Sequence, residues 1–420
     1  MRDVTPDVVL PPSGPAPAAP VPPAGDPWKQ RGRLALVIGN VLLAIGGVGL
    51  IVYLGIRADS AQAIALGIGL GLLPLPLVGL FYWWIDRYDP EPRRYVVSAF
   101  LWGAVGAVGI ALIFNDLLAD TFDLTDSATA TFVAPFVEET GKGLFLLATF
   151  LRARRVLGGL LDGLFYAGVV GLGFAFVENV LYYSVSYLGG PELGVSGAQG
   201  ATATFAIRGL VSPFAHPLFT SALGLALGFA VLTRSWWARV PIVILGWAGS
   251  MLMHGLWNGS ISYVGPLGFI LFYLALMLVF AGFLVLAVML RQRESVVLRR
   301  SLSYLAQRGW IDPTELPWLT WFGYRSQARR HARDNGGPEA VRALRRYQRL
   351  TTDLAFSHDA VMLRRPLHRG VEHTLAVRAE MDELRPRLVL PPPLTPLPRP
   401  PLPPVHPAYV APGVPSGPWS

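Results

Sequence analysis

The chain has 420 residues, 52% of them hydrophobic and only 15% charged, with a mean hydropathy of +0.45. Soluble chains carry about a quarter charged residues, so this composition excludes an ordinary soluble protein and identifies a polytopic membrane protein. Disulfide scaffolds, thiolate metal sites and cysteine nucleophiles are excluded together, because the chain contains no Cys.

Proline marks both ends: 9 of the 37 prolines fall in residues 1–27 and 14 in residues 386–420. Residues 1–33 and 386–420 therefore read as disordered, Pro-rich tails with a spacer role, since they bury too little apolar surface to offset the entropy of ordering them. Between the tails the apolar runs predict eight transmembrane helices, at 34–56, 61–85, 96–118, 128–151, 160–188, 203–232, 240–261 and 266–290. The fold class is all-α, a polytopic membrane helix bundle over residues 34–290. The first run reads as a retained helix, because 23 apolar residues after a 33-residue preface exceed the core of a signal peptide. Gly67xxxGly71 and Gly224xxxGly228 predict close helix approach. Pro213 and Pro217 predict the one interrupted segment.

Topology follows from the basic residues beside the spans. Lys29, Arg31 and Arg33 precede the first; Arg87, Arg93 and Arg94 follow the second; Arg152, Arg154 and Arg155 follow the fourth; Arg234 and Arg239 follow the sixth; Arg291, Arg293, Arg299 and Arg300 follow the eighth. The alternate loops hold Arg57, the helix-entry Arg208 and mainly acids: Asp116, Asp120, Asp123, Asp126 and Glu192. This asymmetry predicts a multi-pass plasma-membrane protein with both termini cytoplasmic. The loop at 86–94, with two prolines, paired acids and Arg93-Arg94, reads as a stiff connector that positions helices and faces anionic lipid.

Residues 291–385 form a basic helical cytosolic region. From Arg291 to Arg387 there are 19 basic and 11 acidic residues, a surplus that equals the whole formal net charge of +8. The positive charge belongs to this appendage, so it does not indicate nucleic acid as a partner. Asp312-Pro313-Thr314-Glu315 is a helix-capping start, and 338–364 reads as an amphipathic Arg-rich helix. His331, His358, His368 and His373 have no spacing that closes a metal site and read as surface histidines.

A charge at mid-bilayer costs at least ~2.5 kcal/mol on insertion scales, so ionisable residues inside the spans are functional candidates. They are few: Glu138, Glu139 and Lys142 in the fourth span, Glu178 with Asn179 in the fifth, His216 in the sixth, and His254 with Asn258 in the seventh. At ~1.5 Å per residue, Glu138 lies roughly 15 Å from the outer end of its helix and His254 roughly 21 Å from the inner end of its own. Four helices thus place polar groups in the middle to outer half of the bilayer, where they converge on one hydrated cavity. Lys142 is four residues from Glu138 and three from Glu139, and the spacing allows either pairing. Two imidazoles and a carboxylate match a three-ligand catalytic zinc site, a carboxylate beside water is a general base, and an amide can donate to an oxyanion. Together they point to hydrolysis of an acyl bond.

Other intramembrane protease signatures are missing or misplaced. Neither HExxH nor GxGD occurs, and the GxSG of Gly194-Val195-Ser196-Gly197 lies in a glycine-rich outer loop and reads as a chance match. The rival class is a proton-coupled or solute transporter using the mid-membrane Glu/His/Lys cluster. Matched broken helices in the two halves would mark it, and only the segment at Pro213 and Pro217 reads as broken.

Asp86-Arg87-Tyr88-Asp89-Pro90-Glu91-Pro92, Pro135 to Lys142 (PFVEETGK), Asp162-Gly163, Gly171 to Asn179 (GLGFAFVEN), Arg208, Ser212 to Thr220 (SPFAHPLFT) and His254 to Asn258 (HGLWN) together resemble the PrsW family of intramembrane metalloproteases over roughly residues 80–290. The resemblance implies a glutamate-dependent or metal-dependent membrane protease, related to the CAAX-processing and bacteriocin-processing membrane proteases with their EExxxR, FxxxH and HxxxN patterns. Here Lys142 stands one position before that arginine, Glu178 occupies the histidine slot after Phe174, and His254 with Asn258 keeps the last pattern. It also implies, as substrate, a single-pass membrane protein such as an anti-sigma factor. On this reading Glu138 is the base, Glu139 its partner or a second ligand, Lys142 the neutralising cation and Asn258 the oxyanion donor. Glu178, His216 and His254 are the ligands of a divalent metal, preferably Zn2+. Glu138 with one histidine activating water is the metal-free alternative.

The topology predicts that reporters fused after Asp123 or Glu192 face outward and those after Arg154, Arg239 or Arg300 face the cytosol. A cytosolic signal from the Asp123 fusion would overturn both the span count and the outward-facing site.

Overall fold

The structure is a computed structural model, and it describes residues 27–394 apart from 59, 89, 153–155, 190–194 and 363–370. Most of both Pro-rich tails, together with Arg154, Arg155, Glu192, Gly194 and His368, lies outside the described residues.

Among the described residues all regular structure is helical. The membrane bundle runs through α1 (Pro27–Ala58), α2 (Ala61–Leu72), α3 (Leu75–Ile85), and α4 (Arg93–Leu101) with α5 (Val108–Phe122), joined by a π-helical turn at Trp102–Ala107. It continues with the short α6 (Asp126–Ala128), a second π-helical turn at Thr129–Val133, α7 (Ala134–Arg152) and α8 (Leu160–Leu188). Then come α9 (Gly197–Phe205) with a third π-helical turn at Ala206–Val211, α10 (Ala215–Leu232), α11 (Trp236–Tyr263) and α12 (Gly265–Gln307).

Seven described segments are long and apolar enough to cross a membrane. The fourth expected span, 128–151, is helical as predicted, but Glu138, Glu139 and Lys142 set it apart in composition. Two expected spans are broken. Pro213 interrupts the helix between α9 and α10 as the sequence predicts, whereas the break at Leu73-Pro74 between α2 and α3 is an additional one. The physical reason is the same, since proline lacks the N–H that continues a helix.

Local chemistry sets several helix starts. Ser60 caps α2 by accepting from Ala63 N at 3.2 Å, and Thr125 caps α6 by accepting from Ala128 N at 3.2 Å, with Asp126 placed favourably for the helix dipole. α8 ends at Gly189, whose φ of 94° is the left-handed conformation that glycine adopts without strain.

α8 is the axis of the bundle: 83% of its most apolar window is buried, against none of that in α1, whose Leu34, Leu42 and Ile45 form part of the lipid-facing surface. A helix with no polar face has to be surrounded, and α8 is packed by α2, α3, α4, α7, α9 and α10. The α8–α10 contact is close because both helices present glycine. A Cβ on Gly224 would sit 2.3 Å from Gly163 O, and one on Gly163 would sit 2.1 Å from Gly224 O. Gly67 of the other predicted motif likewise meets Val180 O of α8, at 2.7 Å from an added Cβ. This approach brings the residues of α8 that follow Gly163 beside the start of α10.

The expected boundary at residue 290 falls inside α12, a continuous helix of 43 residues, roughly 65 Å long at 1.5 Å per residue. Its far end joins a helical module with α13 (Leu316–Thr320), α14 (Phe322–Met362) and α15 (Val371–Leu384). α14 is broken at Gly337, where φ is 67°, so a second helix starts at Pro338 as the sequence predicts. Asp312 Oδ1 accepts from Thr314 N at 2.8 Å, which confirms the predicted cap. Leu298, Leu302, Trp310, Leu350 and Leu354 form the module's core, and Tyr88 of the loop after α3 is buried in it. The same loop reaches the bundle, where Tyr166 Oη of α8 donates to Glu91 Oε2 at 2.8 Å. It therefore positions helices, as its prolines suggested.

Because Gly224 touches backbone and Gly69 meets no atom within 4 Å of an added Cβ, Gly224→Ala should lower the thermal midpoint in detergent by several degrees. Gly69→Ala should leave it unchanged or raise it. Equal midpoints would show that close α8–α10 packing is not limiting.

Candidate active site

Four helices bring the predicted ionisable groups together. α7 supplies Glu138, Glu139 and Lys142, α8 supplies Glu178, α10 supplies His216 and α11 supplies His254. Glu139 and Lys142 are fully buried, and Glu138, His216 and His254 are buried as well. Each charge in such a place must be answered by a partner.

Lys142 Nζ lies 2.8 Å from Glu139 Oε1 and 3.5 Å from Glu138 Oε2. Both pairings that the spacing allowed are made, with Glu139 the nearer. The ammonium also approaches His216 Nδ1 at 3.1 Å and stands 3.8 Å over the ring of Phe174. Glu139 is engaged further: Thr220 Oγ1 donates to its Oε2 at 2.9 Å, and His254 Nδ1 lies 3.1 Å from its Oε1. Glu138 is held more loosely, with Lys142 at 3.5 Å and His254 Nε2 at 3.9 Å.

Each imidazole is fixed at one nitrogen by a carboxylate. His254 is held through Nδ1 by Glu139, which leaves Nε2 on the side of Glu138. His216 is held through Nε2, 2.6 Å from Glu178 Oε2, which leaves Nδ1 on the side of Lys142. Such a carboxylate sets the tautomer and presents the other nitrogen as a lone pair. The two rings are 5.2 Å apart, packed by Phe174 and Phe219.

Ligand atoms of Glu138, His216 and His254 lie within 4.8 Å of one another, the one such group of three found among the described residues. A carboxylate oxygen and two imidazole nitrogens are a donor set known from catalytic zinc, and carboxylates behind both imidazoles complete it. The residues present therefore fit a divalent cation. Glu178, placed in that set by the sequence, instead bonds His216 and the guanidinium of Arg208. Asn258 Nδ2 donates to Ala130 O at 2.8 Å, tying α11 to the π-helical turn before α7. Ser196 starts α9 and makes none of these contacts.

Two residues of the cluster were not assigned a role from sequence. Thr220 lies four residues after His216, one turn along the same face of α10, so helical spacing could have flagged it. Arg208 was counted as a helix-entry residue, although an arginine within an apolar run is itself a signal.

The fold and these groups are those of a helical membrane protein with carboxylates, imidazoles and one ammonium buried between its helices. Residues 91–287, just under half of the chain, match the family model of the PrsW family intramembrane metalloproteases, and this match together with the relatives below supports an intramembrane peptidase. It is 28% identical to Protease PrsW of Geobacillus kaustophilus over 184 residues, which cover 42% of this chain and 72% of that protein. It is 32% identical to Protease PrsW of Clostridioides difficile, over 35% of this chain and 59% of that protein. It is 27% identical to Protease PrsW of Bacillus subtilis, over 42% and 73% respectively. No solved structure gives a significant match. The module after α12 lies outside the family match.

Removing one partner of a buried ion pair costs about 3–5 kcal/mol. Lys142→Met should therefore lower the unfolding midpoint strongly, and Glu139→Gln in the same protein should recover most of the loss. A double variant as unstable as the single one would assign Lys142 to packing.

Proposed function

We propose that the chain is an endopeptidase of the plasma membrane, with both termini cytoplasmic, that cuts a single-pass membrane protein such as an anti-sigma factor at a zinc site formed by Glu138, His216 and His254. The observation that carries this reading is the convergence of those three donors, from three helices, to within 4.8 Å of one another. The match to PrsW proteases favours peptide hydrolysis over the transporter that the same charged cluster suggests. When bound, the cation would supply Lewis acidity at the scissile carbonyl and lower the pKa of a water.

The chain's own groups do the rest. Glu139 and Glu178 orient the two imidazoles from behind, so neither histidine has to reorganise during turnover. Lys142 sets a fixed positive charge beside Glu138 and His216, where negative charge on a tetrahedral carbon's oxygen would be stabilised. Asn258 acts as a positioning group, because its amide bonds Ala130 O. A metal-free variant of the reaction rests on a second observation, the 3.9 Å between Glu138 Oε2 and His254 Nε2. One water held by both could lose its proton to Glu138. Residues 291–385 serve on this reading as a basic cytosolic module, and the Pro-rich tails as spacers.

Glu138→Gln keeps the side chain's size and removes its charge. It should abolish cleavage of a single-pass test substrate, by at least about 100-fold on the usual scale for such groups, while the protein still inserts and accumulates. Cleavage at the wild-type rate would defeat both versions of the chemistry. Loss of bound metal along with activity favours the zinc site, whereas loss of activity in a protein that is active without metal favours the glutamate-only version.

A further inference from the structure

Arg208 stands in an unusual place. It lies in the π-helical turn Ala206–Val211, immediately before the chain breaks at Ser212 and Pro213. Wide turns of this kind cost hydrogen-bond quality and recur at functional sites. From this turn the guanidinium makes three contacts with α8. It bonds Glu178 Oε2 through Nη2, donates from Nε to Asn179 Oδ1 at 2.8 Å, and stacks 3.9 Å over the ring of Tyr182. Glu178 Oε2 is also the atom that His216 Nε2 approaches at 2.6 Å. One carboxylate oxygen thus joins the arginine to the imidazole.

Side-chain exposure falls steadily along this line. Arg208 is 19% exposed, Glu178 14%, His216 9% and Glu138 7%, then His254 2% and Glu139 and Lys142 nothing. The pair formed by Arg208 and Glu178 is the outer wall of an otherwise sealed cluster. The geometry points to Arg208 as a positioning residue of the peptidase: it clamps Glu178 against His216 Nε2 and so fixes the ring that stands in the donor group with Glu138 and His254. This inference rests on the zinc reading above.

The argument is one of tautomer and direction. A glutamate free to rotate would let the His216 ring turn or carry its proton on either nitrogen. Held by a planar fork that also bonds Asn179 and stacks on Tyr182, the carboxylate has one orientation. Outer groups of this kind are worth 10–100-fold in metal affinity or activity. Arg208 and His216 meet on the same Glu178 oxygen, so its effect on the imidazole passes through Glu178.

Co2+ binding, read by its visible ligand-field absorption in detergent-purified full-length protein, tests this without relying on turnover. The variants are Arg208→Gln, Arg208→Lys and His254→Ala, each checked for an unchanged thermal midpoint or compared with Arg208→Lys where Arg208→Gln is unstable. Arg208→Gln should weaken Co2+ binding by about tenfold or more and alter the spectrum, with a matching fall in kcat and little change in KM. Arg208→Lys, which keeps the charge but not the fork, should recover part of the affinity, and His254→Ala should lose the Co2+ signal. Wild-type affinity and spectrum in Arg208→Gln, with the signal lost in His254→Ala, would overturn the role of Arg208 and leave the zinc reading standing. A wild-type signal in His254→Ala would overturn the zinc reading and this inference with it.

Discussion

The structure is organised by the cost of placing Lys142 and two carboxylates where water does not reach. An ammonium in such surroundings is tolerated only when anions and a polarisable ring enclose it, and here Glu139, Glu138, His216 and Phe174 do so from three helices. None of these partners can drift without exposing an uncompensated charge. The ion pair therefore sets the relative placement of α7, α8 and α10, and the glycines at 163 and 224 make that placement sterically attainable.

Charge balance also explains why one carboxylate of this cluster is held less tightly than the others. On α7 two carboxylates face one ammonium, and the nearer, Glu139, takes it along with a hydroxyl and an imidazole. On α8 the remaining carboxylate, Glu178, is matched by Arg208. The excess negative charge falls on Glu138, which has the longest contacts and lies beside two imidazoles with a nitrogen turned toward the interior. A loosely held carboxylate amid preorganised donors is what both cation binding and proton transfer require. The well-satisfied groups supply the frame, and the under-satisfied one is the group to which the proposed function assigns the chemistry.

The module after α12 is tied to the same frame through a short loop. Tyr88 is part of its core, the guanidinium of Arg87 stands 3.5 Å over Phe322, and Tyr88 Oη donates to Ser295 Oγ at 3.2 Å. Three residues after Tyr88, Glu91 accepts from Tyr166 of α8, two turns before Phe174 on the helix that carries Glu178. α12 adds a rigid second connection, with Arg291 donating to Trp84 O at 3.1 Å. The module and the bundle share buried contacts instead of a free linker.

Much of this was legible in the chain. Apolar runs of membrane length, the proline break at Pro213, the capping Asp312 and the small-residue motifs depend on local rules, namely helix rise, the missing proline N–H and the absence of a Cβ, and these hold whatever the tertiary arrangement. Ionisable residues within those runs also announced themselves, because the cost of burying charge is a property of the residue and its surroundings alone. What sequence left open was partnership. Spacing on α7 permitted Lys142 to pair with either glutamate, and it could not show that Thr220 and His254 would complete Glu139 while Arg208 would claim Glu178. Hydrogen bonds between helices depend on crossing angle and rotation, which arise from packing over whole helix faces and are not encoded in any one segment. The tertiary structure alone therefore decided that Glu138 comes within 4.8 Å of both histidines, while Glu178 bonds His216 from the side of Arg208.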